Sequence, residues 1–402
     1  MIGGIGSGAL NGYRVLDLSN LLAGPMLAMH LGDFGAEVIK VEKPGEGDEM
    51  RRWGHLKDGT GVFFAAVNRN KRLISVDIRT VAGQGLIRQL VTHMDVLVES
   101  FRPGTMERWG LGFDDLRQLN PDLVMTRVSG FGQTGPWATR PGFGTLAEAY
   151  SGFAFINGTA SGPPMLPSFG LGDSSAAIFG AYGTALALLA RDRCGGQIVD
   201  VSLYEGLTTL LGSFLVDYST LGVVQERSDG RLPFAAPRNV YATAEGDWVA
   251  IAGSTQRAFD RLVAVIDPDR KFFADPRFAT NASRVTNAVA LDAAIAERVA
   301  VWRTEELMAA LVAGQVPCAP AHSAVSLAAD EHALERGSLV EVTDEVLGRV
   351  LMQAPAPRLS ETPGTVASAA RADVGADNAD VLGSILGLSA EDIARLCSEG
   401  VL

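Results

Sequence analysis

The strongest candidate for chemistry is a short segment that opens an apolar region in the middle of the chain. Residues 169–177 read Phe-Gly-Leu-Gly-Asp-Ser-Ser-Ala-Ala, and the apolar run continues to Ala190. Gly170 and Gly172 leave the backbone accessible, and Asp173 stands where the N-cap of a helix is expected. The helix dipole favours an ionised carboxylate at this end, and the glycines would let a large ligand approach its oxygens. Asp173 is therefore predicted to be a plain helix cap or a carboxylate nucleophile.

Other residue types that carry chemistry lack the spacing that chemistry needs. The five histidines (His30, His55, His93, His322 and His332) have no partner at a recognisable distance along the chain. Three well-separated cysteines (Cys194, Cys318 and Cys397) indicate neither a disulfide framework nor a zinc site. No Gly-x-Ser-x-Gly or His-Glu-x-x-His motif occurs, which argues against hydrolase and zinc-protease readings. No metal and no permanently bound cofactor are expected.

Basic residues gather just after predicted strands. Three such groups occur in order along the chain: Lys40 and Lys43; Arg69, Lys71, Arg72 and Arg79; Arg102 and Arg108. Each residue alone is most simply a solvated surface charge. Three groups near one edge of a sheet instead indicate a phosphate-rich ligand.

The elements that must position these residues follow a strand–helix alternation. Buried strands are predicted at 14–18, 36–42, 72–77, 96–99, 123–128 and 198–202, with helices at 24–32 and 83–93 between them. This alternation predicts an α/β fold, a doubly wound parallel sheet whose ligands bind beyond the strands' carboxyl ends. After a change of composition at 225–237, a hairpin at 240–243 and 248–252 begins a second, smaller domain.

Charge and composition exclude several partners. The 402 residues carry a net charge of −12, which argues against non-specific nucleic-acid binding. Neither end holds about 18 consecutive uncharged apolar residues, so we expect no membrane span or signal peptide. Residues 176–190 are read as a buried helix. Together with the cysteine pattern, this predicts a cytoplasmic protein.

A series of motifs, in order, resembles the family III CoA-transferases, the CaiB/BaiF group that includes formyl-CoA and carnitine CoA-transferases and α-methylacyl-CoA racemases. The motifs are Arg14-Val-Leu-Asp-Leu, Leu22-Ala-Gly-Pro, Gly35-Ala-Glu-Val-Ile-Lys-Val-Glu, Asn70-Lys-Arg, Val98-Glu-Ser-Phe-Arg-Pro-Gly, Leu119-Asn-Pro, Ser129-Gly-Phe-Gly, Gly172-Asp and Gly195-Gly-Gln-Ile-Val-Asp-Val-Ser-Leu. They cover most of the chain, and such an ordered series is highly specific.

The resemblance implies roles for particular residues. Asp173 matches the catalytic aspartate, which would form a mixed anhydride with the acyl group and then an aspartyl-CoA thioester. The positions implied to bind CoA are Leu22, Ala23, Lys43, Val76, Arg79, Ser100, Phe101 and Arg108. Of these, Ser100 replaces the more usual Asn. The substrates implied are an acyl-CoA, with succinyl-CoA a candidate, and a carboxylic acid.

The resemblance also implies an architecture. A large Rossmann-like domain would be built from both chain ends, 11–224 and 326–402, with a small α+β domain at 225–325 and a flexible tail at 1–10. Two subunits would interlock as a homodimer.

Departures from the family pattern narrow the function. Phe143 stands where the racemases have a histidine base, which disfavours the alternative of an acyl-CoA racemase or isomerase. Gly144 and Thr145 replace a Tyr-Glu pair of the formyl-CoA enzymes, so formate and oxalate are not expected substrates. Glu148 is either structural or an active-site carboxylate. A CoA-binding protein without turnover remains a further alternative. A nicotinamide dehydrogenase is disfavoured because no Gly-x-Gly-x-x-Gly follows the first strand.

Overall fold

The computed structural model of the protein describes residues 8–402. Its strands, in chain order, are β1 (Arg14–Asp17), β2 (Glu37–Glu42), β3 (Leu56–Lys57), β4 (Thr60–Gly61), β5 (Lys71–Ser75), β6 (Val96–Glu99), β7 (Val124–Ser129), β8 (Ile198–Ser202), β9 (Arg238–Ala242), β10 (Trp248–Ala252), β11 (Cys318–Pro320), β12 (Leu339–Asp344) and β13 (Gly348–Gln353).

The helices in chain order are α1 (Ala23–Asp33), α2 (Val62–Val67), α3 (Val81–Val91), α4 (Thr105–Arg108), α5 (Phe113–Arg117), α6 (Gly144–Tyr150), α7 (Phe153–Ile156), α8 (Leu171–Cys194), α9 (Glu205–Leu210), α10 (Phe214–Leu221), α11 (Gln256–Ile266), α12 (Asn281–Thr286), α13 (Ala288–Val299), α14 (Thr304–Ala313), α15 (Ala324–Ala328), α16 (Glu331–Glu335), α17 (Asn378–Leu386) and α18 (Ala390–Ser398). Single 3₁₀ turns lie at Glu49–Arg52 and Pro276–Phe278.

Six parallel strands form the central sheet, in the order β5-β2-β1-β6-β7-β8. β1 lies between β2 and β6, so the chain winds outward in one direction from β1 to β5 and in the other from β6 to β8. The predicted α/β class with a doubly wound parallel sheet is confirmed. The strand order reverses between β1 and β6, which is where such sheets bind ligands.

Apolar residues on both faces of the sheet explain why it is parallel and buried. Along β1, Val15 points into one core and Leu16 into the other, because successive strand side chains alternate between faces. α1 and α8 cover the face with Val15, through residues such as Leu27 and Ala176. α3, α17 and α18 cover the opposite face. The C-terminal helices α17 and α18 thus complete the core that β1 begins.

The chain divides into two compact units. The first contains the described residues up to Phe153, Leu166–Gly212 and His332–Leu402. It holds the six-stranded sheet and the hairpin of β12 and β13. Of the predicted tail at 1–10, residues 1–7 lie outside the described residues, and Leu10 donates its backbone N–H to Phe34 O at 2.8 Å.

The second unit contains Ala154–Met165 and Ser213–Glu331. Its three-stranded antiparallel sheet has the order β11-β10-β9, and the predicted hairpin corresponds to β9 and β10. Tyr241, Ile251, Leu262 and Leu307 contribute to a core of its own, closed by α11, α13 and α14.

The helix α8 is long and apolar enough to span a membrane by length and composition, the one helix of residues 8–402 for which this holds. It packs along α1, β7, β8 and α9, however, and Ala176, Ala177 and Ala187 on its inner side are buried against the sheet. Small residues at these positions let the helix approach the sheet closely. α8 is therefore a core helix of the first unit.

Candidate active site

A cavity of about 940 Å³ opens beyond the carboxyl ends of β1 and β6, where the strand order reverses. The loops that follow these two strands line one side of it, at 20–24 and 100–103. The segment Gly142–Thr145 and the start of α8 line another part. The sheet topology therefore brings together residues that are far apart in the sequence, as the fold class predicts.

Asp173 lines this cavity and is partly buried. The prediction that it caps a helix was wrong by one turn: α8 begins at Leu171, Gly170 occupies the N-cap, and Asp173 lies within the first turn. Gly144, at the start of α6, lies directly against the carboxylate, so a β-carbon placed there would collide with Asp173 Oδ2. Glycine is therefore required at 144 for the carboxylate to occupy this position.

Burial, and after it the negative charge of the neighbouring Glu148 carboxylate, raise the pKa of Asp173 to about 6. We expected the dipole of α8 to favour the ionised form; desolvation and like charge outweigh it. A carboxylate with a pKa near 6 is still mostly ionised at neutral pH, and it is more basic than an exposed aspartate. This electrostatic setting suits a nucleophile.

Glu148 lies on α6 and is 3% exposed. Its Oε1 accepts a hydrogen bond from the backbone N–H of Gly172 at 3.1 Å, one residue before Asp173. Glu148 also lines the cavity. The side chain therefore holds the first turn of α8 and places a second carboxylate in the cavity that contains Asp173.

The structure divides the predicted CoA-binding residues between two cavities. Leu22, Ala23, Ser100 and Phe101 line the cavity that contains Asp173. Lys43, Val76 and Arg79 line a second cavity of about 340 Å³. Asn20, Leu21 and Phe101 line both, so the two cavities adjoin.

The three predicted cationic positions differ in their surroundings. Lys43 forms an ion pair with Glu46, and Arg79 Nη2 lies 2.8 Å from Asp77 Oδ2. Arg108 is exposed and donates to Thr105 Oγ1 at 2.9 Å. Arg108 is not among the residues that line either cavity.

A buried ionic cluster lies beneath the loop after β1. Lys40 Nζ is 2.9 Å from Asp48 Oδ2, and Lys71 Nζ is 2.9 Å from Asp17 Oδ2, with all four side chains fully buried. Asp48 accepts the backbone N–H of Leu21 at 3.2 Å, and Lys40 donates to Ser19 O at 2.9 Å. Leu21 has a φ of 66°, in the left-handed region that costs energy for leucine. The cluster therefore holds a strained loop at the junction of the two cavities.

Sequence reasoning did not assign this role to Lys40, Lys71 or Asp48. Lys40 and Lys71 were grouped with a ligand-binding basic edge, but both are directed inward to carboxylates. The sequence feature that could have indicated their inward direction is their position within strands of apolar residues, at sites where the side chain is buried. Arg140 and Phe143, which line the main cavity, lie on an irregular segment that has no periodicity to place them.

Phe143 is 58% exposed and lines the cavity at the position discussed for a racemase base. A phenyl ring cannot accept a proton. The cavity nevertheless holds two carboxylates, those of Asp173 and Glu148.

The fold and the partly buried carboxylate in its cavity are those of an α/β enzyme. Residues 10–378 match the family model described as CoA-transferase family III. The chain belongs to this family, so the resemblance seen in its motifs is confirmed, and its reaction is the transfer of CoA between an acyl-CoA and an acid.

Individual relatives support the assignment to this family. The chain is 42% identical to a succinyl-CoA–D-citramalate CoA-transferase of Chloroflexus aurantiacus, over 98% of each chain. It is 37% identical to the alpha subunit of a succinyl-CoA–L-malate CoA-transferase of the same organism, over 98% of this chain and 92% of that one. A crystal structure of a CaiB/BaiF family protein from Brucella suis superposes with a TM-score of 0.84 at 30% identity, covering 94% of this chain and all of that one.

Proposed function

We propose that this enzyme transfers CoA from succinyl-CoA to a second dicarboxylic acid, with Asp173 as a covalent nucleophile. The observation that carries the proposal is the partly buried Asp173 carboxylate in a large cavity, with a pKa of about 6 and glycine backbone against its oxygen. The relatives support the choice of substrates, since both are named for succinyl-CoA and for an acceptor with two carboxylates.

The proposed reaction conserves the thioester. The Asp173 carboxylate attacks the succinyl thioester carbonyl, the carbon–sulfur bond breaks, and the products are a mixed anhydride on Asp173 and the CoA thiolate. The thiolate then attacks the aspartyl carbonyl, which releases succinate and leaves an aspartyl-CoA thioester. The acceptor carboxylate attacks this thioester to form a new anhydride and thiolate. Attack of the thiolate on the acceptor's acyl carbon yields the new acyl-CoA and restores Asp173.

The two adjoining cavities support a path for CoA. In this proposal Leu22, Ala23, Ser100 and Phe101 contact CoA close to the junction, and Val76 lines the second cavity beside Lys43 and Arg79. Lys43 and Arg79 would bind phosphate groups, exchanging their present carboxylate partners for the ligand. Arg108, on the exposed α4, would contact a phosphate outside both cavities.

We also infer a homodimer of interlocked subunits, working in the cytoplasm with no membrane or nucleic-acid partner. Support for the dimer comes from an apolar stripe on the outer side of α8: Ile178, Tyr182, Leu186 and Leu189 are all exposed in the single chain. They are spaced by three or four residues and therefore share one helix face. An exposed apolar face of this kind marks an interaction site.

The covalent step can be tested by trapping. The enzyme is incubated with succinyl-CoA and hydroxylamine, which captures activated carboxyls, and the peptide containing Asp173 is analysed by mass spectrometry. We expect a hydroxamate on Asp173 that requires succinyl-CoA and is lost in Asp173→Asn. The peptide containing Asp200, whose pKa is also raised by burial but which lines neither cavity, serves as the internal control. Transfer activity without any modification of Asp173 would exclude this mechanism.

A further inference from the structure

Two arginines in the Asp173 cavity differ from most of the arginines around the sheet. Arg102 and Arg140 line the cavity and are exposed, and within residues 8–402 neither guanidinium has a carboxylate partner or a side-chain hydrogen bond. By contrast, Arg51, Arg79 and Arg127 are all paired with acidic side chains. The cavity therefore presents unused cationic donors near a site that processes carboxylic acids.

Arg140 is distinguished from Arg102 by how it is held. Its guanidinium lies 3.8 Å from the centroid of the Trp137 ring. Stacking on an aromatic face fixes the plane of a guanidinium but leaves its in-plane N–H groups available. Those N–H groups form the fork that matches a carboxylate with two parallel hydrogen bonds.

Trp137 is itself held in place by neighbouring aromatic rings. Its ring centroid lies 5.2 Å from that of Phe131 and 4.8 Å from that of Tyr150, and Tyr150 packs on Tyr204. The loop also closes on itself, because a β-carbon at Gly130 would lie 2.6 Å from Gly142 Cα. An aromatic cluster and a backbone contact thus hold the segment that carries Arg140, so little entropy is lost when a ligand binds.

Arg140 is close to the reacting centre along the chain. It precedes Gly144 by four residues, and Gly144 lies against Asp173 Oδ2. Four residues span at most about 14 Å, even when fully extended. Arg140 and Asp173 line the same cavity, so a ligand held there is exposed to both the Asp173 carboxylate and the Arg140 guanidinium.

We propose that Arg140 binds the distal carboxylate of a dicarboxylic acyl group and so selects diacids over monoacids. This inference rests on the proposed transferase function and concerns the substrate class of the same site. Without a cation, a second substrate carboxylate would enter a cavity that already holds Asp173 and Glu148. Arg140 compensates that charge for the acyl donor and, when it has left, for the acceptor acid.

The test compares ligands that differ only in the distal carboxylate. For the wild type, kcat/KM is measured with succinyl-CoA and butyryl-CoA, and Kd is measured calorimetrically with succinate and butyrate. We expect Arg140→Gln to lower kcat/KM for succinyl-CoA and to weaken succinate binding by about 10- to 150-fold, the range for one charged hydrogen-bonded contact. Values for the butyryl compounds should change less than about threefold, which is within the range of a peripheral substitution.

Arg117→Gln is the matched control, since Arg117 is an exposed arginine over the Phe113 ring, on α5 and outside both cavities. It should leave all four values unchanged. Equal losses for succinyl and butyryl ligands in Arg140→Gln would overturn the inference. So would a preference for diacids that is lost in Arg102→Gln and kept in Arg140→Gln. Succinate binding that depends on Arg140 in an enzyme that transfers no CoA would uphold the inference and overturn the proposed function instead.

Discussion

Two carboxylates of unequal role share the reacting end of the cavity. In the proposed mechanism Asp173 must be ionised to attack a thioester, and burial and then Glu148 raise its pKa to about 6. Because the folded-state pKa lies above the ordinary aspartate value, the ionised nucleophile is progressively lost as the pH falls through about 6. The acid limb of the kcat/KM profile should therefore report this group.

Glu148→Gln should shift that acid limb to lower pH. The amide oxygen can still accept the Gly172 N–H, which Glu148 now accepts at 3.1 Å, but the negative charge beside Asp173 is removed. The pKa of Asp173 then falls because burial is the only remaining cause that raises it. The measurement is kcat/KM for succinyl-CoA between pH 4.5 and 8, with circular dichroism at each pH to confirm that the protein is folded.

Glu297→Gln, an exposed position in the second unit, provides the control and should leave the profile unchanged. An acid limb that stays in place in Glu148→Gln would mean that the charge of Glu148 does not act on Asp173. A limb that moves to higher pH would mean that the charge of Glu148 lowers the pKa of Asp173 instead of raising it.

At the scale of residues, the sequence indicates which residues are candidates for the site, but it says less about their surroundings in the folded protein. Asp173 was predictable because glycines flank it and an apolar helix follows, and the family motifs gave it a role. Tertiary packing decides where Asp173 lies in the first turn of α8. It also partly buries Asp173 and brings Glu148 beside it, and these two effects give the pKa shift its sign. Arg140 could not be predicted, since its stack on Trp137 lies in a loop.

At the scale of elements, the start of α6 and the start of α8 are packed through glycine backbone. A β-carbon at Gly172 would lie 2.7 Å from Gly144 O, and one at Gly144 would collide with Asp173 Oδ2. The two helix starts therefore approach closely enough to hold the carboxylate between them. Their spacing, rather than any single side chain, sets where the proposed nucleophile lies.

Gly144→Ala should reduce kcat by about 100-fold, because small displacements of a reacting group from its position have effects of this size. In a helix the substitution is intrinsically favourable by about 1 kcal/mol, so a loss of activity cannot be ascribed to helix propensity. Steady-state kinetics and thermal unfolding are measured together. Loss of activity with a retained melting temperature is the expected result.

Gly85→Ala is the matched control, since Gly85 also lies in a helix, α3, and its added β-carbon would meet no atom within 4 Å. This variant should keep full activity and gain slightly in stability. If Gly144→Ala behaves in the same way, the close packing of α6 on Asp173 has no part in catalysis.

Most of the sheet was predictable at this scale, and the reason is visible in β6 and β8. Both are short runs of β-branched residues between turn signals, and they form at the predicted positions. The ionic cluster beneath the loop after β1 was not predictable. Lys40 and Lys71 look like surface charges in the sequence, and only the tertiary fold brings Lys40 to Asp48 and Lys71 to Asp17.

At the scale of the whole molecule, the outer face of α8 is more apolar than a solvent-facing helix should be. Ile178 is 58% exposed, Tyr182 62% and Leu189 79%, all on one helix face. The opposite face of α8 packs on the central sheet and carries Asp173 at its first turn. A partner that covers the outer face would therefore support the helix that positions the proposed nucleophile.

Tyr182→Glu combined with Leu189→Glu should convert the inferred dimer to monomers and lower CoA-transfer activity. Each buried apolar side chain contributes about 1.5 to 3 kcal/mol, and a two-fold axis would count each substitution twice, so the dimer Kd should rise by more than 100-fold. Light scattering after size-exclusion chromatography measures the mass. Val301→Glu, at a residue 78% exposed in the second unit, tests whether any new surface charge has this effect. A wild-type protein that elutes as a monomer would refute the dimer, and a double variant that stays dimeric would place the interface elsewhere.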